Sequence, residues 1–437
     1  MTETENKQGG NVFAIATMFA LFFMIAFVTN FAGSMGVIAK AQFKASNALS
    51  QLGNFANFFA YLFMGIPGGL ILKRKGYKFT ALLAVAVGFT GVGVQLLSGY
   101  IGSFAVYVTG AFVAGFSMCL LNLVTNPLLN TLGGGGNKGN QLVQFGCSLN
   151  SVGATLSPIV LGLLIGEITE KTAFADAAPA LMIAMGIFAV AFFVVAFSRI
   201  PEPHMETAAE KQARLSGGSS VLRDVVETLK FRHFTLGALA IFFYIVIEVG
   251  IPSMANLYMT EQIKDAAGAV VKNGPGYVGG AVAGVVCGAY WFCMMIGRLV
   301  GGAVGGKVSS RTMITCCSLV GIALMLATMF TPVKMVNVLG KEFPLAMCFM
   351  VLCGLCTSVM WGGIFNLAAE GLGKYVPMGS GIFMAMVFGG VLIPVQGMLA
   401  DKIGILSSYW FTIALLAYVL AYALFFSKPS RTAAKVD

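Results

Sequence analysis

Twelve stretches of this chain are apolar over roughly twenty residues or more, long enough to cross the hydrocarbon core of a bilayer. They cover residues 12–38, 50–72, 79–99, 104–131, 141–166, 177–198, 234–259, 275–304, 311–331, 344–369, 378–400 and 406–427. Lipid offers no water to backbone groups, so each run is predicted to be a helix that satisfies its own amides and carbonyls. One long polar stretch, Arg199 to His233, separates six runs from six. The expected architecture is an all-α membrane protein, with twelve transmembrane helices in two pseudo-symmetric six-helix bundles. Residues 1–198 form the first bundle, 199–233 a cytoplasmic linker, and 234–437 the second bundle with a short tail.

Composition excludes the soluble alternatives. Charged residues make up 10% of the chain and hydrophobic ones 58%, with mean hydropathy +0.86. A soluble protein carries about 25% charged residues, so a cytosolic enzyme or a secreted disulfide domain is ruled out. The nine cysteines all lie in apolar runs, including the Cys353-x-x-Cys356 pair, where small polarisable side chains serve packing. Both histidines fall in the linker, so no zinc or haem site is expected. Met1 to Gly10 is polar and the apolar run after it is long, which does not fit a cleaved signal.

The net charge of +10 is not gathered into a basic stripe, so nucleic acid is not an expected partner. Topology accounts for it instead. With both termini in the cytoplasm, the inner segments hold nineteen Lys and Arg and the outer loops eight. Arg298, Lys307 and Arg311 are counted here between the eighth and ninth spans. The bias agrees with the positive-inside rule and predicts a multi-pass plasma-membrane protein.

The two halves echo one another. Gly153, Pro158 and Gly162 in the fifth span have counterparts in Gly389, Pro394 and Gly397 of the eleventh. Each half also carries a basic loop between its second and third spans, L-K-R-K-G-Y-K and G-G-K-V-S-S-R. Repeated six-span units are the mark of transporters that rock one half against the other around a site near the midplane.

Of seventeen acidic residues, Glu248 alone falls deep within a span, in F-Y-I-V-I-E-V-G-I-P. A carboxylate in hydrocarbon is normally protonated, paired or turned to a wet cavity. Desolvation favours its neutral form, which makes Glu248 a candidate proton carrier. Pro252 is expected to break the seventh helix locally. The first half offers amides instead of charge: Asn30 and Ser34; Asn54, Asn57 and Tyr61; Asn122 and Asn126; and Gln141, Gln144, Ser148, Ser151 and Thr155, with Asn150 alongside. Each set shares a helix face. Four polar stripes predict a polar cavity between the bundles. Amides both donate and accept, as sugar hydroxyls do, and Trp361, deep in S-V-M-W-G-G-I-F-N, is a candidate platform for a sugar ring. Tyr244, Tyr290, Trp291 and Asn366 are further candidates. The run G-G-G-G-N-K-G-N at 133–140 lacks the phosphate-loop pattern and is read as a loop.

Several segments carry a resemblance: P-G-G-L-I-L-K-R-K-G-Y-K at 67–78, Asn126-Pro127 with the following L-G, L-N-S-V-G-A at 149–154, I-G-R at 296–298, and L-G-K-Y through P-V-Q-G at 372–397. In their order and spacing they resemble the major facilitator superfamily, and within it the fucose–galactose–glucose:proton symporter family. The resemblance implies alternating access with a sugar bound between the halves, and it puts Asn150 at the position of a sugar-contacting asparagine. It also implies membrane carboxylates in the first and fourth helices, but the aligned positions here hold Gly33 and Asn122. Three readings of coupling therefore stay open. Glu248 carries a proton; or oxygens of Asn54, Asn57, Asn122 and Ser151 hold sodium; or transport is uncoupled.

The sequence thus predicts a monomeric importer of a neutral hexose, such as glucose, galactose or fucose, driven by proton or sodium symport. Its binding set is Asn30, Asn57, Asn122, Asn126, Gln144, Asn150, Glu248, Trp361 and Asn366, and no cofactor is expected. The rivals are an exporter of drugs or other amphiphiles, which predicts an apolar, Met- and Phe-lined pocket, and a non-transporting membrane receptor or scaffold.

Overall fold

The computed structural model describes residues 12–27, 52–165, 174–208, 211–212, 221–264, 270–338 and 340–429. Its helices trace twelve passes. The first is Val12–Phe27. The second and third run as one continuous path, Leu52–Ile101, that bends at Gly76 with φ +83°, a conformation that glycine adopts without a Cβ clash. The fourth, fifth and sixth are Phe104–Leu132, Gly136–Ile165 and Ala178–Phe197. A short amphipathic helix, Val221–Leu229, lies in the linker.

In the second half, the seventh to ninth spans are Arg232–Thr260, Gly280–Gly305 and Ser310–Phe330. The tenth is split into Ala346–Thr357 and Met360–Ala369. The eleventh changes to a tighter 3₁₀ winding over Met386–Leu392, between Val376–Ala385 and Ile393–Ile403. The twelfth is Tyr409–Ala421, prolonged by a π-turn at Tyr422–Phe426.

One expectation needs correction. The seventh helix continues through Pro252 without a break; the interruptions fall in the tenth and eleventh spans. The loops after the seventh and ninth spans form antiparallel hairpins, Gln262–Lys264 with Val270–Asn273, and Met335–Val338 with Lys341–Pro344. Both hairpins lie at the end of the bundle opposite the linker.

The halves meet most extensively through two pairs of spans, the second with the eleventh and the fifth with the eighth. In a two-repeat arrangement these pairs are equivalent. Both contacts are built on glycine and lie toward the linker end. A Cβ on Gly65 would sit 2.5 Å from the Gly381 carbonyl oxygen, and one on Gly69 would sit 2.6 Å from that of Pro377. Gly301 packs on Val359 and Gln144, and Gly302 on the Phe145 ring. Small residues let helix backbones approach where lipid supplies no hydrophobic drive. The contacts described between the halves thus close the linker side.

The linker is strapped to the turn between the second and third spans. The Glu202 carboxylate accepts from the backbone amides of Tyr77 and Lys78, the latter at 2.9 Å. The Tyr77 hydroxyl and His204 Nδ1 are 2.7 Å apart, and Lys73 Nζ lies 2.8 Å from the Asp224 carboxylate.

Candidate functional site

The polar stripes of the first half divide into two levels. At mid-depth, Asn122 Nδ2 donates to the Tyr61 hydroxyl at 3.1 Å, and Asn126 Nδ2 donates to Asn122 Oδ1 at 3.2 Å. The spacing of four residues on one helix makes this chain possible. Trp361 Nε1, from the tenth span, donates to Asn126 Oδ1 at 3.1 Å. The chain therefore crosses from one half to the other. Around the half-buried Trp361 ring stand Tyr244, tilted at 6.3 Å, and Phe383, edge-on at 6.0 Å. Asn57 is buried, and its Oδ1 meets no hydrogen-bond donor among the described residues. Asn150 is half-buried and donates to the Phe22 carbonyl at 3.1 Å.

Gln144, wholly buried, donates across the halves to the Val359 carbonyl at 2.9 Å, two residues before Trp361 and where the tenth helix is interrupted. A second level lies nearer the linker, where Asn366 accepts from Asn130 Nδ2 at 2.7 Å and donates to Ser310 Oγ at 2.9 Å. Asn366 thus closes the contact between halves apart from the chain that ends at Trp361. Asn30, Gly33, Ser34 and the side chain of Asn54 lie outside the described residues.

Glu248 is paired. Its Oε1 lies 3.0 Å from Arg298 Nη2. Arg298 was counted above with a linker-side loop, and that placement is wrong. It lies within the eighth helix and is 7% exposed. Without it, eighteen inner Lys and Arg still outnumber the outer eight. The signal was present, because Arg298 falls inside the apolar run 275–304 and a deep acid calls for a cation. The Arg298 Nη1 donates to Ser151 Oγ at 2.6 Å and to the Cys147 carbonyl at 3.3 Å, both in the first half. In this arrangement the Ser151 oxygen, a candidate sodium ligand, faces the guanidinium.

Pro252 acts by what it lacks. Without an N–H, it leaves the carbonyl four residues earlier, that of Glu248, with no helix donor. The Tyr290 hydroxyl donates to that oxygen at 3.2 Å and also meets Thr357 Oγ1 at 3.0 Å. The Tyr409 hydroxyl donates to the neighbouring Ile251 carbonyl at 2.8 Å. The backbone around the acid is thereby held by hydroxyls of the eighth and twelfth spans.

An apolar crevice of about 550 Å³ lies among the first, fifth and sixth spans, lined by Phe19, Phe23, Met24, Ile183 and Val190. It belongs to one half only and opens where Val190 and Ile183 are exposed; its Phe and Met lining is what the exporter reading expects, but it lies away from the polar chain that joins the halves.

Two six-helix halves, joined along one end and facing each other with hydrogen-bonding groups at mid-depth, make this a two-repeat, multi-pass membrane transporter and not an enzyme. The model of the Major Facilitator Superfamily matches residues 17–374, and the chain belongs to that family. It is similar to the glucose/galactose transporter of Brucella abortus (strain 9-941), with 27% identity over 431 residues, covering 98% of this chain and 97% of the relative. It is also similar to the L-fucose-proton symporter of Escherichia coli K12, with 21% identity over 416 residues, covering 90% and 88%. Among solved structures, the transporter FucP in its outward conformation superposes with a TM-score of 0.77 at 19% identity, over 96% of this chain and 100% of that one. That likeness concerns the fold.

Proposed function

We propose that this protein imports a neutral monosaccharide, a hexose such as glucose, galactose or fucose, by cation symport with alternating access. The observation that carries the reading is the polar chain Tyr61–Asn122–Asn126–Trp361, which brings amides of one half against an indole of the other at mid-depth. A hydroxylated ring needs donors, acceptors and an aromatic face together, and a sugar entering between the halves competes for those groups. The ion pair Glu248–Arg298 supports a neutral cargo, because each charge is already balanced. The named relatives, a glucose/galactose transporter and a fucose–proton symporter, support the same cargo class.

In this reading the protein sits in the plasma membrane with the linker and both termini in the cytoplasm, as the basic-residue bias favours. The described contacts then close the cytoplasmic side, and sugar enters from outside. Glu248 is the coupling acid. A sodium-coupled version is the second reading, favoured by the buried Asn57 oxygen that meets no donor among the described residues.

The test is reconstitution in liposomes with a panel of labelled monosaccharides, under an imposed proton gradient or an imposed sodium gradient. Accumulation of one hexose under one gradient supports the reading. If no neutral monosaccharide enters, downhill or driven, the reading is wrong.

A further inference from the structure

We propose that the apolar crevice among the first, fifth and sixth spans holds one acyl chain of an anionic phospholipid from the linker-side leaflet. The crevice has a volume of about 550 Å³. Two of its walls are stripes of single helices. Ile183, Gly186, Val190 and Val194 follow one another down the sixth span, and Thr17, Ala20 and Met24 line the first. Steps of three and four residues keep each set on one face. Gly186 supplies the hollow, since a Cβ built there would meet nothing within 4 Å.

Three observations select the occupant. The first is exposure. Ile183, Val190 and Val194 are open to the outside of the bundle, where a membrane span meets lipid, and a chain that fills an apolar gap gains dispersion contacts there. The second is length. Ile183 to Val194 covers about 16 Å at 1.5 Å per residue, against about 15 Å for the hydrocarbon of one leaflet. The crevice also starts at the membrane edge, because Val195 lines it and the sixth helix ends at Phe197. The third is charge. At the linker end the Ser198 hydroxyl lies 3.3 Å from that of Thr17. The next residue, Arg199, is exposed and has no partner among the described residues. A basic side chain at that level attracts an anionic headgroup.

The bound chain braces the first helix. It rests on Phe19 and Phe23, and the same turn packs on the fifth span. There the Phe22 carbonyl accepts from Asn150, and Gly153 lies against the Phe23 carbonyl.

The test titrates the delipidated full chain with palmitoyl-oleoyl phosphatidylglycerol or the matching phosphatidylcholine. Native mass spectrometry reads the bound lipid and thermal unfolding reads stability. Wild type should retain one phosphatidylglycerol about fivefold more tightly than phosphatidylcholine, the effect of a single basic residue near the surface, and should unfold at a higher temperature with it. Gly186→Leu fills the hollow and should lose both the retained lipid and the thermal shift. Arg199→Gln alters an exposed side chain and leaves the packing alone. It should bring phosphatidylglycerol down to the level of phosphatidylcholine. Wild-type retention in Gly186→Leu overturns the proposal, and so does equal retention of the two lipids by wild type. A wild-type dimer that Gly186→Leu converts to a monomer gives the crevice to a second copy and overturns it too. Transport of tetraphenylphosphonium by wild type, abolished in Gly186→Leu, would make the crevice a cargo site and overturn it likewise.

Discussion

The indole nitrogen of Trp361 donates to the side-chain oxygen of Asn126 at 3.1 Å, so the residue expected to carry a sugar ring is itself held by the opposite half of the molecule. The platform and its counterpart are thus formed together when the linker side closes. With sugar bound as proposed, this bond joins the recognition of cargo to the arrangement of the two bundles.

Trp361→Phe keeps an aromatic face and removes the donor. A hydrogen bond of this kind contributes about 1 kcal/mol, so the uptake KM should rise roughly fivefold with transport retained. Trp361→Ala loses the face as well and should raise it further. Initial-rate uptake across a sugar concentration series reads both, and an unchanged KM in Trp361→Ala would remove the ring-platform role.

Glu248→Gln cannot ionise. It should abolish concentrative uptake while leaving exchange of labelled for unlabelled sugar across an equilibrated membrane. Accumulation at the wild-type level would show that this acid is not the coupling group. Glu248→Ala is a harsher change, because it leaves Arg298 buried without its acid and should destabilise the protein by about 3–5 kcal/mol; thermal unfolding in detergent measures it.

Gly381→Ala puts a methyl group 2.6 Å from the Gly65 carbonyl oxygen, and the linker side can then no longer close as it does here. Uptake should fall by at least about tenfold, since a blocked contact of this kind raises the energy of one transport state by more than about 1.4 kcal/mol. A cysteine placed at Gly301 in the same background should become faster to label from the linker side. Normal uptake together with slow labelling would contradict the assignment of this contact to closure.

His204 provides a pH-dependent contact outside the membrane. Burial holds its ring at about 4, below the ordinary 6.5, so the neutral ring is the form that docks beside Tyr77. A lowered histidine contributes fully above about pH 6.5 and loses its contribution as pH falls toward 4. Hydrogen exchange at the Tyr77 and Lys78 amides, corrected for intrinsic rates, should therefore speed up between pH 7 and pH 5, and His204→Phe should remove the difference. Equal protection at both pH values in the wild type would refute the strap.

Twelve passes were legible because lipid enforces a simple rule, that an apolar run of sufficient length must be a helix. The hairpins after the seventh and ninth spans were not, because they lie outside the hydrocarbon, where that rule has no force. Glu248 stood out from its neighbours for the same reason that the runs did. Arg298 went unrecognised as a core residue because it lies near enough to a span end to pass for a loop cation. Pro252 was expected to break the seventh helix, but the helix continues through it, and the Tyr290 hydroxyl donates to the carbonyl that the proline leaves without a helix donor.

The amides show the limit most clearly. Spacing along a helix determined that Asn122 and Asn126 share a face, and that Gln144 and Ser151 share another. It could not determine which face meets which across the two halves. Only the tertiary structure decided that Asn126 meets Trp361, that Gln144 reaches the Val359 carbonyl, that Asn366 meets Asn130, and that Ser151 holds a guanidinium. The physical reason is that helical periodicity is a local property of one segment, whereas a hydrogen bond between halves depends on how two separately folded bundles are placed against each other.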